Sequence, residues 1–139
     1  MSTLNEFQAE LDKAVVEGKL GEKLLARQVG VENNMLYLEI EDGDLGRVQA
    51  ILDRAEAGDL KDVLLDKGTD GDTALNKALS EGNKEIVTAI FKKLFISSNL
   101  PILKEALLVK NDYGVSPLHN LVLASDEIFQ EVIELAHTK

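Results

Sequence analysis

The octapeptide LKDVLLDK (Leu60–Lys67) returns 43 residues later as LKEALLVK (Leu103–Lys110), and a looser copy, LGEKLLAR (Leu20–Arg27), stands 40 residues before it. Each copy has Leu first, an acid third, Leu-Leu at the fifth and sixth places and a base eighth. The second and third copies stay in register without gaps, so Gly71 falls on Gly114, Thr73 on Ser116 and Leu75 on Leu118. Self-similarity at such a period is the mark of an array of small units that bury their apolar faces on one another.

Each unit reads as helices. In the middle unit the spacing predicts a short helix over Ala74–Ser80 that buries Leu75, Ala78 and Leu79. Gly82-Asn83 breaks it, and Asn83 caps a second helix whose buried stripe is Ile86, Val87, Ile90, Phe91 and Leu94. Pro101 suits the first turn of a third helix, with Leu103, Ala106 and Leu107. The preceding unit repeats the plan with Leu36 and Ile40, a break and cap at Gly43-Asp44, and the stripe Val48, Ile51 and Leu52. Asp59 is the expected cap of Leu60–Leu65. In the last unit Ser116-Pro117 opens a helix with Leu118, Leu121 and Val122 as its apolar side, and Ile128, Phe129, Val132, Ile133 and Ala136 mark the second. At the N-terminus Thr3 and Glu6 have capping-box spacing ahead of Leu4, Phe7, Leu11 and Ala14. The expected organisation is one domain over 1–139: capping helices at 1–28, then units at 29–67, 68–110 and 111–139.

Composition points the same way. The 139 residues are 45% hydrophobic but only 4% aromatic, with two prolines, so Ala, Leu, Ile and Val must supply the core. That favours helix-on-helix packing and an all-α fold. The formal charge of -10 sets the chain against phosphate backbones and anionic membrane surfaces, so neither nucleic acid nor membrane is an expected partner. A basic protein is the partner class that the charge favours. There is no cysteine, hence no disulfide or thiol chemistry. The opening MSTLNEFQAELDK lacks a basic n-region followed by an apolar run, and no stretch approaches the roughly 18 apolar residues of a membrane span. The expectation is a cytoplasmic protein, or one acting in a host cytosol after export without an N-terminal signal.

Gly71-x-Thr73-Ala74-Leu75 followed by Gly82-Asn83-x-Glu85-Ile86-Val87 resembles the ankyrin pattern G-x-T-P-L-H-x-A-A-x-x-G-x-x-E-I-V. Gly114-x-Ser116-Pro117-Leu118-His119 is similar to its opening, and Gly43-Asp44 with Val48 and Ile51-Leu52 to its second half. The likeness runs from Asn33 to Ala136. It departs at the consensus His, which is Tyr37, Asn76 and His119 in turn, and at the consensus Pro, present only as Pro117. The interval of 40–43 residues also exceeds the ankyrin period of about 33. Such long units resemble ankyrin proteins of intracellular bacteria. The resemblance implies an ankyrin-type repeat solenoid of stacked helix-turn-helix units, with an extra short helix between units.

In ankyrin proteins partners dock on the turn tips and the exposed side of the short first helices. Carried across, those places are Asn33, Glu41 and Asp42; then Thr69, Asp70, Asp72, Ser80 and Glu81; then Asp112, Tyr113, Val115 and Leu123. Six of the twelve are acidic and none is basic, while the second helices carry Arg47, Lys84, Lys92 and Lys93. The resemblance thus implies an acidic groove for a basic partner, with Tyr113, Val115 and Leu123 as an apolar anchor. A strip of acids is also what a chain with 25 acidic residues shows on any solvated face.

Catalysis is not expected. His119 stands at the ankyrin His position, a structural role, and His137 lies at the fraying end. Asp66, Asp70 and Asp72 with Gly68 and Gly71 fail the calcium-loop spacing, because the glycine falls between two of the acids and no bidentate acid follows. No nucleotide, zinc-protease or nucleophile-elbow motif occurs, so no cofactor or metal is expected. The readings are therefore an interaction module of the effector, inhibitor or adaptor kind, or a structural scaffold that is a self-assembling segment of a longer array. The apolar C-terminal helix, with Phe129 and Ile133, favours the second. A monomer, or weak self-association through that helix, is the expected state.

Overall fold

The computed structural model describes residues 3–27 and 30–137, and among these every regular element is helical. Ten α-helices follow one another: α1 Leu4–Val16, α2 Leu20–Leu25, α3 Met35–Glu41, α4 Leu45–Arg54, α5 Ala57–Leu65, α6 Ala74–Glu81, α7 Lys84–Leu94, α8 Leu100–Leu108, α9 Pro117–Leu123 and α10 Asp126–His137. The division drawn between residues 28 and 29 lies outside the described residues.

Local chemistry starts the helices where the sequence says. Thr3 and Glu6 close a reciprocal capping box on α1. Asn34, Thr73 and Ser116 cap α3, α6 and α9, each side chain accepting from the backbone N–H three residues on. Asp44, Asn83 and Ser125 do the same for α4, α7 and α10. One cap differs from expectation: α5 begins at Ala57, so Glu56 is its N-cap and Asp59 reaches back to the Glu56 N–H from the first turn. The helix starts earlier because Ala57 and Gly58 are free to join it once that reciprocal bond is made.

From α4 onward, every helix packs against the helix three places before it. α1, α4, α7 and α10 form one file, α2, α5 and α8 a second, and α3, α6 and α9 a third. The buried residues are those of the expected stripes. Leu75, Ala78 and Leu79 of α6, and Ile86, Val87, Ile90, Phe91 and Leu94 of α7, are all buried, as are Leu36, Ile40, Val48, Ile51 and Leu52. Two ends depart from the pattern. Leu4 is exposed at the start of α1, and in the last unit Leu118 and Val122 are exposed although Leu121 is buried. In α10 Ile128 and Val132 are buried, Phe129 is half-buried, and Ile133 and Ala136 face outward.

Among the described residues no single helix is long and apolar enough to cross a membrane. The pair Lys84–Leu94 and Ser97–Leu108 reaches that apolarity only together and is bent by 93°.

The turns between units fix the spacing of the files. Gly68 N–H donates to the Asp72 carbonyl and Gly71 N–H to the Gly68 carbonyl; Asn111 to Val115 and Gly114 to Asn111 repeat both bonds 43 residues on. Gly71 has φ +70°, and a Cβ there would stand 2.5 Å from the Asp112 Oδ1 of the neighbouring turn. Gly71→Ala should therefore cost about 2–3 kcal/mol, combining the left-handed backbone penalty with displacement of Asp112. Urea unfolding of the two chains checks this, and a loss below about 0.5 kcal/mol would show that the turns do not abut.

Candidate functional site

The twelve residues assigned to the surface strip fall into two rows on the α3–α6–α9 file. One row lies in the turns ahead of these helices: Asn33, Thr69, Asp70, Asp72, Asp112, Tyr113 and Val115. The other lies at their C-terminal ends: Glu41, Asp42, Ser80, Glu81 and Leu123. The eight residues of α6 separate the rows by about 12 Å.

A hydrogen-bonded frame holds the first row. The Asn33 amide donates to Thr69 Oγ1 at 3.1 Å, and Thr69 N–H returns a bond to Asn33 Oδ1 at 2.9 Å. Asp112 N–H donates to the Asp70 carbonyl at 2.8 Å. Beneath these tips runs a polar ladder. The Tyr37 hydroxyl donates to one Asp72 oxygen at 3.2 Å, and the Asn76 amide donates to the other at 2.7 Å and to the Val115 carbonyl. Asn120 in turn donates to Asn76 Oδ1. Burial, followed by the neighbouring Asp72 charge, pushes the Tyr37 phenol well above its ordinary range, so it stays a donor. Tyr37, Asn76 and His119 are the third helical residues of α3, α6 and α9, and the first two carry the link from unit to unit. His119 instead places Nδ1 3.0 Å from the hydroxyl of Ser116, its own helix cap.

This frame divides the assigned residues by role. Asp72 is half-buried with both oxygens engaged inside the fold, so it belongs to the frame and not to the free surface. Val115 is half-buried as well. Asp70, Asp112 and Tyr113 are exposed at the tips, Tyr113 at 73%. Asp70 also takes a left-handed backbone (φ 57°), a conformation that Asp and Asn tolerate better than most residues.

The second row is acidic where helix electrostatics disfavours it. Glu41 and Glu81 close α3 and α6, neither of which has a base in its last turn, although the carbonyl ends of helices repel negative charge. One cation tempers this row, and the sequence reading passed over it. Lys77 of α6 sits 2.8 Å from Glu81 Oε1 and 3.8 Å from Glu41 Oε2, over the Tyr37 ring. Its bond to Glu81 raises the Lys77 pKa further, so the ammonium is held. The strip is thus acidic around a central base.

Between α3 and α4, Arg47 lies over the Phe7 ring and 3.8 Å from Glu39, whose carboxyl is pushed up by burial against the pull of that guanidinium. Asp66 is held by Arg27 and by Asn34. With Asp72 committed to the ladder, the three acids of the suspected calcium loop do not converge, and no group of three metal-ligating side chains occurs among the described residues.

Two open clefts mark the ends of the files. Between α1 and α2 the lining is charged, with Glu10, Glu17, Glu22, Lys13, Lys19 and Lys23. At the other end, Leu108, Leu118, Val122 and Leu123 line an apolar cleft edged by Lys110 and His119. Leu123, assigned to the strip as an anchor beside Tyr113, belongs to this second cleft. Leu118 and Val122 were read as the apolar side of their helix, and Leu108 was not singled out. The register of Leu118 and Val122 with buried Leu75 and Leu79 was the signal.

The ladder sets a stability test. Asn76→Ala leaves the Asn120 amide without its partner and takes one of two hydrogen bonds from Asp72 and from the Val115 carbonyl, and should cost about 2–4 kcal/mol. Thr73→Ala removes only a cap and should cost about 1 kcal/mol. Denaturant curves of both variants check the order; equal losses would show that the ladder does not link the units. Compared with protein-family models, with curated proteins and with solved structures, the chain matches none of them significantly.

Proposed function

We propose that this chain is a protein-interaction module, a helical repeat array of the ankyrin type that takes a basic protein partner along the α3–α6–α9 file. Two observations support the array. Turn and cap hydrogen bonds recur at one 43-residue offset, and each helix rests on the helix three places earlier. Three helices and 40–43 residues per unit also fall within the range of HEAT and armadillo arrays. The Gly-x-Thr/Ser turn with its side-chain cap, and the turn-to-turn bond from Asp112 to Asp70, favour the ankyrin type.

One observation carries the binding role. Exposed acids stand in two rows on a hydrogen-bonded frame, including the C-terminal ends of α3 and α6, where the helix dipole disfavours them and Lys77 is the base paired with them. Groups placed against local preference point to use rather than folding. The frame lowers the ordering cost of binding, because the tips are tied to one another before a partner arrives. A basic segment lying across α6 would meet Asp70 and Asp112 at one edge and Glu41, Asp42 and Glu81 at the other. Lys77, already paired, sets the middle of the track. Tyr113 offers the large, stiff side chain that interface hot spots favour.

The test titrates a panel of Lys/Arg-rich helical and extended peptides against three chains. In Asp70→Asn/Asp112→Asn the strip loses two charges without backbone strain; Glu85→Gln/Glu134→Gln loses two from exposed positions on α7 and α10. The strip variant should bind its best peptide at least 10-fold more weakly while the control variant keeps native affinity. Equal losses would reduce the binding to bulk charge and remove the proposal. Tyr113→Ala should weaken the same complex about 5- to 30-fold with unchanged helicity and melting temperature. An unaltered affinity would withdraw Tyr113 from the site.

A further inference from the structure

Positions equivalent by the 43-residue offset meet opposite fates in α6 and α9. Leu75 and Leu79 are buried at 0% and 4% exposure, whereas Leu118 and Val122 stand at 42% and 67%. Leu108 at the end of α8 and Leu123 at the end of α9 are open as well, at 58% and 80%. The difference lies in neighbours. α6 has α3 on one side and α9 on the other; α9 has α6, α8 and α10, and among the described residues nothing packs on its far side. The α3–α6–α9 interface therefore continues onto a bare face whose four side chains are already arranged as a helix-packing surface.

We infer that this face is where two copies of the chain meet, related by a two-fold axis. The inference does not depend on the partner proposed for the acidic strip. Three arguments choose the occupant. The α1–α2 cleft at the other end of the chain carries three Glu and three Lys, so seating the leucines on it would press them onto ions and strand those ions without water. Apolar end against apolar end avoids that cost and closes the assembly at two. A basic partner is disfavoured here because the charge at the cleft edge is Lys110, of the partner's own sign. The area also fits a reversible pair. The exposed parts of the four side chains amount to on the order of 400 Å² of carbon surface, at the scale of functional patches on monomers. Burying it on both copies removes about 800 Å², which belongs to weak interfaces and not to obligate dimers.

Sedimentation equilibrium on the full chain should give a single-copy mass at low micromolar concentration, rising toward two copies and levelling there. Salt should strengthen the pair, since each copy carries a net charge of -10 and only carbon is brought together. Val122→Glu and Leu118→Glu should abolish the mass increase with the helical spectrum intact. Because the chain has no cysteine, single introductions report the geometry directly. Under mild oxidation Leu123→Cys should give a disulfide-linked pair, whereas Val16→Cys, exposed at the other end, should stay monomeric. A single-copy mass up to about 1 mM would overturn the inference and leave the face to a further helical unit or a different protein. So would a mass growing past two copies, a mixed disulfide between Leu123→Cys and Val16→Cys chains, or a Val122→Glu chain that still pairs.

Discussion

A helix of six to thirteen residues is marginal or unstable alone in water, because the cost of its first turn is spread over too few bonds. Each of the ten helices must therefore be covered by a neighbour, and a helix three places away along the chain does much of the covering. Burial by succession explains the arrangement of the whole molecule. It requires turns that set one unit on the next, and the bonds of Gly68–Asp72 and Asn111–Val115 supply two of the same form. It also requires registration along the files, supplied by the polar ladder from Tyr37 through Asp72 and Asn76 to Asn120. Apolar contact alone would allow the helices to slide; a buried Asn with fixed donors does not.

The same constraint separates the two surfaces. Where succession is complete, as at α6, the first helix buries its apolar side and leaves charge at the turn tips and helix ends. Where it stops, at α9, apolar positions stay uncovered. The acidic strip and the leucine-lined end are thus distinct in chemistry: one is charged and held in a hydrogen-bonded frame, the other is apolar with Lys110 and His119 beside it. Lys77 stands within the strip and limits its negative potential, since it neutralises part of the field of Glu41 and Glu81. The outer row, at Asp70 and Asp112, has no base of that kind among its bonds.

Much of this was legible in the residues. Caps are local, so Thr3, Asp44, Asn83 and Ser116 could be placed from spacing alone, and the stripes of α4, α6 and α7 follow from helical periodicity. Asp59 was misplaced by one rule competing with another: it caps well in isolation, but Glu56 three residues earlier offered the reciprocal box. Asp72 looked like a turn-tip acid because sequence shows the charge and not its depth, whereas its partners Tyr37 and Asn76 are 35 residues and four residues away. Lys77 was overlooked for a similar reason. Its importance comes from Glu41, which lies in the previous unit.

The misreading of Leu118 and Val122 has a different cause. Pattern alone assigns a residue to the core by its equivalence to buried residues elsewhere in the chain, and equivalence holds only while the next unit is present. At α9 the sequence is that of a core helix and the environment is that of a surface. The α1–α2 cleft at the other end is instead lined by Glu and Lys. The asymmetry between the two ends is therefore a property of this particular chain, not of its repeat. It places a helix-packing surface at one end, with a carbon lining that no charged partner satisfies.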